Sequence, residues 1–284
     1  MPEGPEIRKA ADKIAQAILA KKIIRLKFGQ PHLKKWQSSF TNMTVCSIDT
    51  YGKAMVTRFI DSTEVVKGVT KREALNIYTH NQLYGRWVIC DANQAPSSNR
   101  QLRLGIYTKD KWALLYSASD IFVLTDEEVP KHPFIKRLGK DVLNAETTVE
   151  YVIDKLLSST YRNRQIGGFL TEQSFLAGLG NYLRCDILFV AGIHPARKPS
   201  ELTDLQILKL AKNILKLPRQ SYQTESITND LDAVKNLLAQ GSSLESARFW
   251  VFRREGLPCY YCDSKIIKKN TSGQPCYICE KCQK

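Results

Sequence analysis

No stretch of this chain approaches the roughly 18 consecutive apolar residues that a membrane-spanning helix requires, so no such helix is expected. The first twenty residues are charged throughout and hold no long apolar run, so no secretory leader is expected there. Acidic residues are in deficit. Asp and Glu number 28 against 42 Lys and Arg, a formal net charge of +14 with a pI near 9.4. That excess points to a polyanionic partner, most often nucleic acid, with an anionic membrane or a ribosome as competing readings. The eight cysteines follow a free-thiol pattern that suits a reducing compartment, so a cytoplasmic location is expected. Core material is plentiful. Of the 284 residues 43% are hydrophobic, enough for one large domain or two ordinary ones and unlike a disordered chain.

The pattern changes along the chain. "PEIRKAADKIAQAILA" sets Ile7, Ala10, Ala11, Ile14 and Ile18 at helical spacing behind Pro5, an amphipathic helix of about four turns. From Ile23 to about Leu124 short β-branched and aromatic runs ("IIRLKF", "TVCSID", "KAMVTRFI", "ALNIYT", "GRWVIC", "LRLGIY", "WALLYS") predict an antiparallel sandwich or barrel. A polar stretch, 61–73, reads as an insertion between two of these strands. "TDEEVPKHPFIKRLGKD" loses periodicity around Pro130, Pro133 and Gly139 and reads as a linker. Beyond it helical spacing takes over in "TVEYVIDKLLSS", "NRQIGGFLTEQ", "NYLRCDILFVAG" and "SELTDLQILKLAKNILK". The expected organisation is therefore α+β and multidomain: an N-terminal β-sandwich domain with a long N-terminal helix over 1–126, a linker over 127–147, a helical domain over 148–247, and a cysteine-rich tail over 248–284.

The tail carries the most specific spacing. Cys259 and Cys262 form one C-x2-C, and Cys279 and Cys282 a second after sixteen residues, the pattern of a four-thiolate zinc ribbon with one structural Zn2+. Two disulfides are the alternative, which a reducing compartment disfavours. Cys276 fits neither knuckle, and Cys46, Cys90 and Cys185 are scattered, with core filler as their default role. The tail holds eight basic and three acidic residues, which suits a surface turned toward phosphates.

Other motifs are open to two readings each. In "FLAGLGNYLR" the glycines and Asn181 mark a junction between helices, either an ordinary cap or a helix start whose N–H groups meet a phosphate. In "THNQLYGRW" Gln82, Leu83 and Tyr84 sit at a loop tip, either folded back on the core or projecting as a wedge for a base stack. Lys53 follows a glycine at the start of a strand, as a surface lysine or as one that reaches a phosphate. In "MPEGPEI" the acidic residues either favour the first turn of a helix or flank a chemical group, a secondary amine at Pro2 exposed by removal of Met1.

In this order these motifs resemble the formamidopyrimidine-DNA glycosylase and endonuclease VIII family over nearly the whole chain: "MPEGPEI", "GKA" near position fifty, "HNQLYG", "FLAGLGNYLR", "VFRREGLPC" and the four-cysteine tail. "HNQLYG" and "PEGPEIRKAADKI" look closest to the bacterial endonuclease VIII branch. The resemblance implies a helix-two-turn-helix DNA-binding domain between the β-sandwich and a C-terminal zinc-ribbon β-hairpin. It implies a bifunctional enzyme of base excision repair. Such an enzyme removes oxidised bases, pyrimidines by preference, through a Schiff base on the N-terminal proline and cleaves the strand by β,δ-elimination. Its partner would be double-stranded DNA with oxidised bases or abasic sites, with no membrane and the protein as a monomer. By likeness Pro2 would be the nucleophile, Glu3 the acid/base residue, Lys53 the catalytic-site lysine gripping the backbone, and Glu6 a support. Gln82, Leu83 and Tyr84 would fill the gap left by a flipped nucleotide, and Asn181 would hold a phosphate.

The chain departs from the pattern in its hairpin. Five residues before the third cysteine the family normally carries a phosphate-clamping arginine; here that position is Gln274, which brings no charge and no bidentate fork. Lys265, Lys268 and Lys269 on the same hairpin are candidate substitutes, and the usually aromatic position two further on is Cys276. This leaves a second expectation beside the enzyme: a relative that binds damaged or abasic DNA with little or no turnover. A zinc-ribbon module of a transcription or ribosomal assembly is a third, and it leaves the N-terminal motif unexplained.

Overall fold

Glu3, Pro5 and Glu6 start the first helix. The computed structural model describes residues 2–61, 65–66, 69–70 and 73–284. Glu3 is the N-cap of α1 (Gly4–Ile18), and its N–H donates to the Glu6 carboxylate at 2.8 Å, closing a capping box. Ile7, Ala11, Ile14 and Ile18 form the buried stripe that the spacing predicts.

Strands follow as β1 (Arg25–Phe28), β2 (Thr44–Tyr51), β3 (Ala54–Ile60), β4 (Val65–Val66), β5 (Val69–Thr70), β6 (Leu75–His80), β7 (Arg86–Asp91), β8 (Leu102–Tyr107), β9 (Lys111–Tyr116) and β10 (Asp120–Thr125). They build two four-stranded antiparallel sheets, ordered β1-β8-β9-β7 and β10-β6-β3-β2. Strand β1 shows why: Arg25 and Lys27 are exposed while Leu26 and Phe28 are buried, the alternation of a strand with one wet face. Leu26, Phe28, Ile106 and Leu115 of one sheet share a core with Val45, Met55, Phe59 and Ile77 of the other. Helix α1 packs on both sheets, through β2 and β9, and contributes Ile7, Ile14 and Ile18 to that core. The expected sandwich with a long N-terminal helix is thus the observed one. Strands β4 and β5 form a small ladder within the polar stretch 61–73, and its residues 62–64, 67–68 and 71–72 lie outside the described residues.

The chain divides into two units, Met1–Arg137 and Leu138–Lys284. Near the division the linker sequence forms a short helix, α2 (Pro133–Lys136), capped by His132. The second unit contains α3 (Val149–Leu157), α4 (Ile166–Phe169), α5 (Asn181–Ala191), α6 (Asp204–Gln223), α7 (Leu231–Ala239), α8 (Leu244–Ala247), and a hairpin of β11 (Ile267–Thr271) and β12 (Gln274–Ile278). Helix α5 is the hub, buried from Tyr182 to Phe189. Helix α6 outruns its periodicity. The spacing reads as helical to Lys216, yet the helix continues through Pro218 to Gln223. A mid-helix proline costs about 3 kcal/mol, and burial of Leu217, Pro218 and Ser221 offsets it. "NRQIGGFLTEQ" is helical only over α4. A Cβ at Gly167 would stand 2.6 Å from the Pro195 Cβ, so this segment is shaped by close approach rather than by helical period. Helices α7 and α8, capped by Asp230 and Ser243, were not apparent from the spacing. Ser272 and Gly273, both at positive φ, make the tight turn between β11 and β12.

Candidate active site and nucleic-acid interface

Four of the residues singled out in the sequence meet in the first unit. Pro2 is half-buried, Glu3 is 3% exposed, and both stand at the positive end of α1, where negative charge is favoured. Lys53 arrives from the β2–β3 hairpin. Tyr51 pairs with Ala54, leaving a two-residue turn in which Gly52 takes φ 59°, a conformation that suits glycine. Burial lowers the Lys53 pKa, and the carboxylates of Glu3 and Glu6 act against that shift. The three groups therefore feel one another, and an amine with easier access to its neutral form lies beside two carboxylates.

The tip of the β6–β7 connection is exposed to solvent. Leu83 is 58% exposed and Tyr84 70%, so the fold-back reading of this loop does not hold. A cavity of about 360 Å³ is lined by Pro2, Asn81, Leu83, Tyr84, Arg86 and Arg100, which places the tip beside the N-terminal proline. The loop is braced from several directions. Ser119 Oγ donates to Gln82 Oε1 at 2.7 Å, Arg100 Nη1 donates to the Tyr84 carbonyl at 2.7 Å, and Gly85 N–H donates to the Asn81 carbonyl at 2.7 Å. Gln82, at φ 50°, donates its N–H to His80 Nδ1 at 3.0 Å.

That last bond is expected to depend on pH. Burial lowers the His80 pKa, Asp120 opposes the shift, and Lys53 and Arg137 reinforce it; the Phe134 ring lies 5.1 Å away. The unfolded chain then takes up the proton first, so the bond's contribution is complete above the ordinary imidazole value and is lost as pH falls through the lowered folded one. Protection of the Gln82 amide, its exchange rate relative to that of an unstructured amide at the same pH, is expected to fall at acid pH in wild type, and to be low and without that step in His80→Ala. Protection that does not change with pH in either protein would separate the loop from His80.

In the second unit Asn181 is the first residue of α5. Its Nδ2 donates to the Pro275 carbonyl at 2.9 Å, and its Oδ1 accepts from Arg184 Nη2 at 2.5 Å. The helix start is therefore tied to β12 one residue from Gln274, which is exposed. Arg184, 1% exposed, also donates to the carbonyls of Gly167, Thr271 and Pro275. Two residues on, the fully buried Asp186 accepts from Thr228 Oγ1 and from the N–H groups of Trp250, Val251 and Phe252, while burial pushes its carboxyl pKa up. These two charges brace the approach to the hairpin. Lys268 lies 3.5 Å from Glu255 and Lys269 2.6 Å from Glu280, so both exposed lysines carry acidic partners.

Cys259, Cys262, Cys279 and Cys282 bring four Sγ atoms within 4.8 Å of one another. Bonds of about 2.3 Å to a tetrahedral ion place thiolate sulfurs roughly 3.8 Å apart. The Cys259–Cys282 and Cys262–Cys279 separations are 3.8 Å and 3.4 Å. The set fits one soft, four-coordinate ion. Of the scattered cysteines read as core filler only Cys185 is buried; Cys90 is half-buried and Cys46 exposed.

Residues 1–119 match the formamidopyrimidine-DNA glycosylase N-terminal domain, and 138–232 the H2TH domain of the same family. Endonuclease 8 of Enterobacter sp. (strain 638) is 43% identical over 284 residues and that of Klebsiella pneumoniae subsp. pneumoniae 44% over 283, each covering the whole of both chains. The chain belongs to the formamidopyrimidine-DNA glycosylase and endonuclease 8 family. Its fold is that of a MutM in complex with DNA containing carbocyclic 8-oxo-G (TM-score 0.78, 18% identity) and of Lactococcus lactis Fpg in complex with abasic-site DNA (TM-score 0.77, 19% identity), each covering 99% of both chains. This is a family of base excision repair enzymes, DNA glycosylases with abasic-site lyase activity. For a member of it, the braces His80 and Arg184 lie inside "HNQLYG" and "FLAGLGNYLR" without a role assigned from the sequence, and Arg100 and Asp186 lie outside the quoted motifs. The one local signal was an arginine and an aspartate within the otherwise apolar "NYLRCDILFVA".

Proposed function

We propose that this chain excises oxidised bases, pyrimidines by preference, from double-stranded DNA and then cuts the strand at the resulting abasic site. With Met1 removed, the Pro2 amine attacks the sugar C1′, the base departs, and the sugar ring opens to an iminium, the Schiff base of covalent catalysis. Glu3 protonates the opening sugar and then carries the proton that β,δ-elimination displaces. The observation behind this reading is the meeting of Glu3, Glu6 and Lys53 at the α1 N-terminus next to Pro2. A free α-amine titrates at about 8 against about 10 for a free lysine; burial lowers Lys53 toward the α-amine, so the trapping experiment decides between the two amines. Lys53 would grip the backbone near the lesion. Leu83 and Tyr84, with Gln82, fill the space vacated by the flipped nucleotide, whose extrusion costs a few kcal/mol. Asn181 contacts phosphate, and one structural zinc on Cys259, Cys262, Cys279 and Cys282 holds the hairpin in shape.

Borohydride trapping on a duplex with a single abasic site tests this. A covalent adduct mapping to the N-terminal peptide, present in wild type and lost when Pro2 is blocked, is the expected result. An adduct on the Lys53 peptide would transfer the nucleophile to that lysine. A protein that starts at Pro2, binds the duplex and gives no adduct would be a damage-binding relative instead.

Gln274→Arg is expected to tighten binding to the abasic duplex about tenfold, or 1.4 kcal/mol, and to steepen the slope of log affinity against log salt by about 0.9. Fluorescence anisotropy across a salt series measures both. An unchanged slope would show that position 274 does not meet phosphate.

A further inference from the structure

Two cysteines of the second unit stand outside the metal cluster, and they meet. Cys185 of α5 and Cys276 of β12 have Sγ atoms 3.8 Å apart, 91 residues apart in the chain, and both are 0% exposed. We propose that Cys185 and Cys276 are a modification site, a dithiol that hydroperoxides close reversibly to a disulfide joining β12 to α5.

The two thiols are unlike. Cys185 donates its S–H to Cys276, and Tyr277 N–H points at the Cys185 sulfur at 3.5 Å. That S–H donation and the buried Arg184 guanidinium, acting against burial, lower the Cys276 thiol, whereas burial pushes the Cys185 thiol up. Cys276 is the attacking sulfur and Cys185 the resolving one, and because both are shielded the peroxide reaches them only when the hairpin opens locally. The Cys276 thiolate attacks a peroxide oxygen, the O–O bond breaks, and the departing hydroxide takes a proton to become water. The sulfenic acid left on Cys276 is attacked by the Cys185 sulfur as it gives up its proton; the S–O bond breaks and a second water leaves. Two thiols lose two protons and two electrons, and hydrogen peroxide takes up both to become two waters. The sulfurs must approach by roughly 1.8 Å to reach bonding distance. The site lies beneath the phosphate-facing corner: the Cys185 sulfur is also 3.9 Å from Asn181 Oδ1.

The test exposes the full-length, zinc-loaded protein to graded hydrogen peroxide, alkylates free thiols with a maleimide after denaturation, and maps peptides without reduction while a colorimetric chelator reports released zinc. The expected result is a joined Cys185–Cys276 peptide pair, lighter by two hydrogens, at doses that leave zinc bound, and its disappearance on treatment with dithiothreitol. In Cys185→Ala the joined pair is absent and a dimedone adduct of the sulfenic acid marks Cys276. Recovery of both cysteines as alkylated thiols at doses that already oxidise the metal ligands would overturn the proposal, as would a Cys276 found joined to one of those ligands. The wild-type map decides this even if the variant fails to fold.

Discussion

Glu3→Gln is expected to lower base excision by about 10²- to 10⁴-fold, the usual contribution of a positioned acid/base group. The amide keeps the size of the side chain and can still accept a hydrogen bond, but it cannot deliver a proton to the sugar and take one back. Folding should be spared, because one half of the capping box uses the main-chain N–H of residue 3 and the Glu6 carboxylate, and in the other half a glutamine oxygen can still accept from the Glu6 N–H. Affinity for duplex DNA should change little. Single-turnover assays on a duplex with one oxidised pyrimidine, run beside a preformed abasic site and a thermal melt, separate these effects. Excision that stays within about tenfold of wild type would remove Glu3 from the proton path.

Stripping the metal from the four-cysteine cluster, by chelation or by Cys279→Ser, is expected to unfold the hairpin and with it the phosphate contacts. Little besides the four-cysteine cluster would hold the ribbon together. Its apolar contents are few (Ile266, Ile278 and the cysteines themselves, against Phe189, Trp250 and Val251), and β11 is largely exposed. Zinc binding to small thiolate sites supplies about 10–16 kcal/mol, as much as the roughly 5–15 kcal/mol of net stability of a typical domain. Cys279 has a second tie: its N–H donates to Gln283 Oε1, and Gln283 Nε2 donates to the Ile193 carbonyl, so the loss reaches the end of α5. Affinity for the abasic duplex should fall with the metal content, while the core between the two sheets of the first unit keeps its melting transition. Metal analysis, calorimetry and anisotropy on one set of samples give the comparison. A metal-free protein that melts and binds as before would make the cluster dispensable.

How much of this was legible beforehand depended on range. Helix α1 is set by apolar residues three and four apart and by a cap three residues long, and it formed where the spacing said. The alternating strands, the glycine turn before Lys53 and the paired C-x2-C knuckles are equally local, and each could be read from a window of a few residues. Pro218 marks the limit of such reading. A residue that locally breaks helices lies inside one because neighbours distant in sequence bury it. The same holds for the site. Nothing near Lys53 in the chain says that it is half-buried within reach of the Glu3 and Glu6 charges, nothing near His80 says that its ring receives the Gln82 amide, and nothing near Cys276 says that α5 brings Cys185 to it. Residue type and spacing alone determined the chemistry the chain has available and the order of its parts. Which charges are desolvated, which loop is braced and which sulfurs meet were decided by the tertiary structure, because burial and electrostatic shifts depend on what lies across a packed interface rather than on what comes next along the chain.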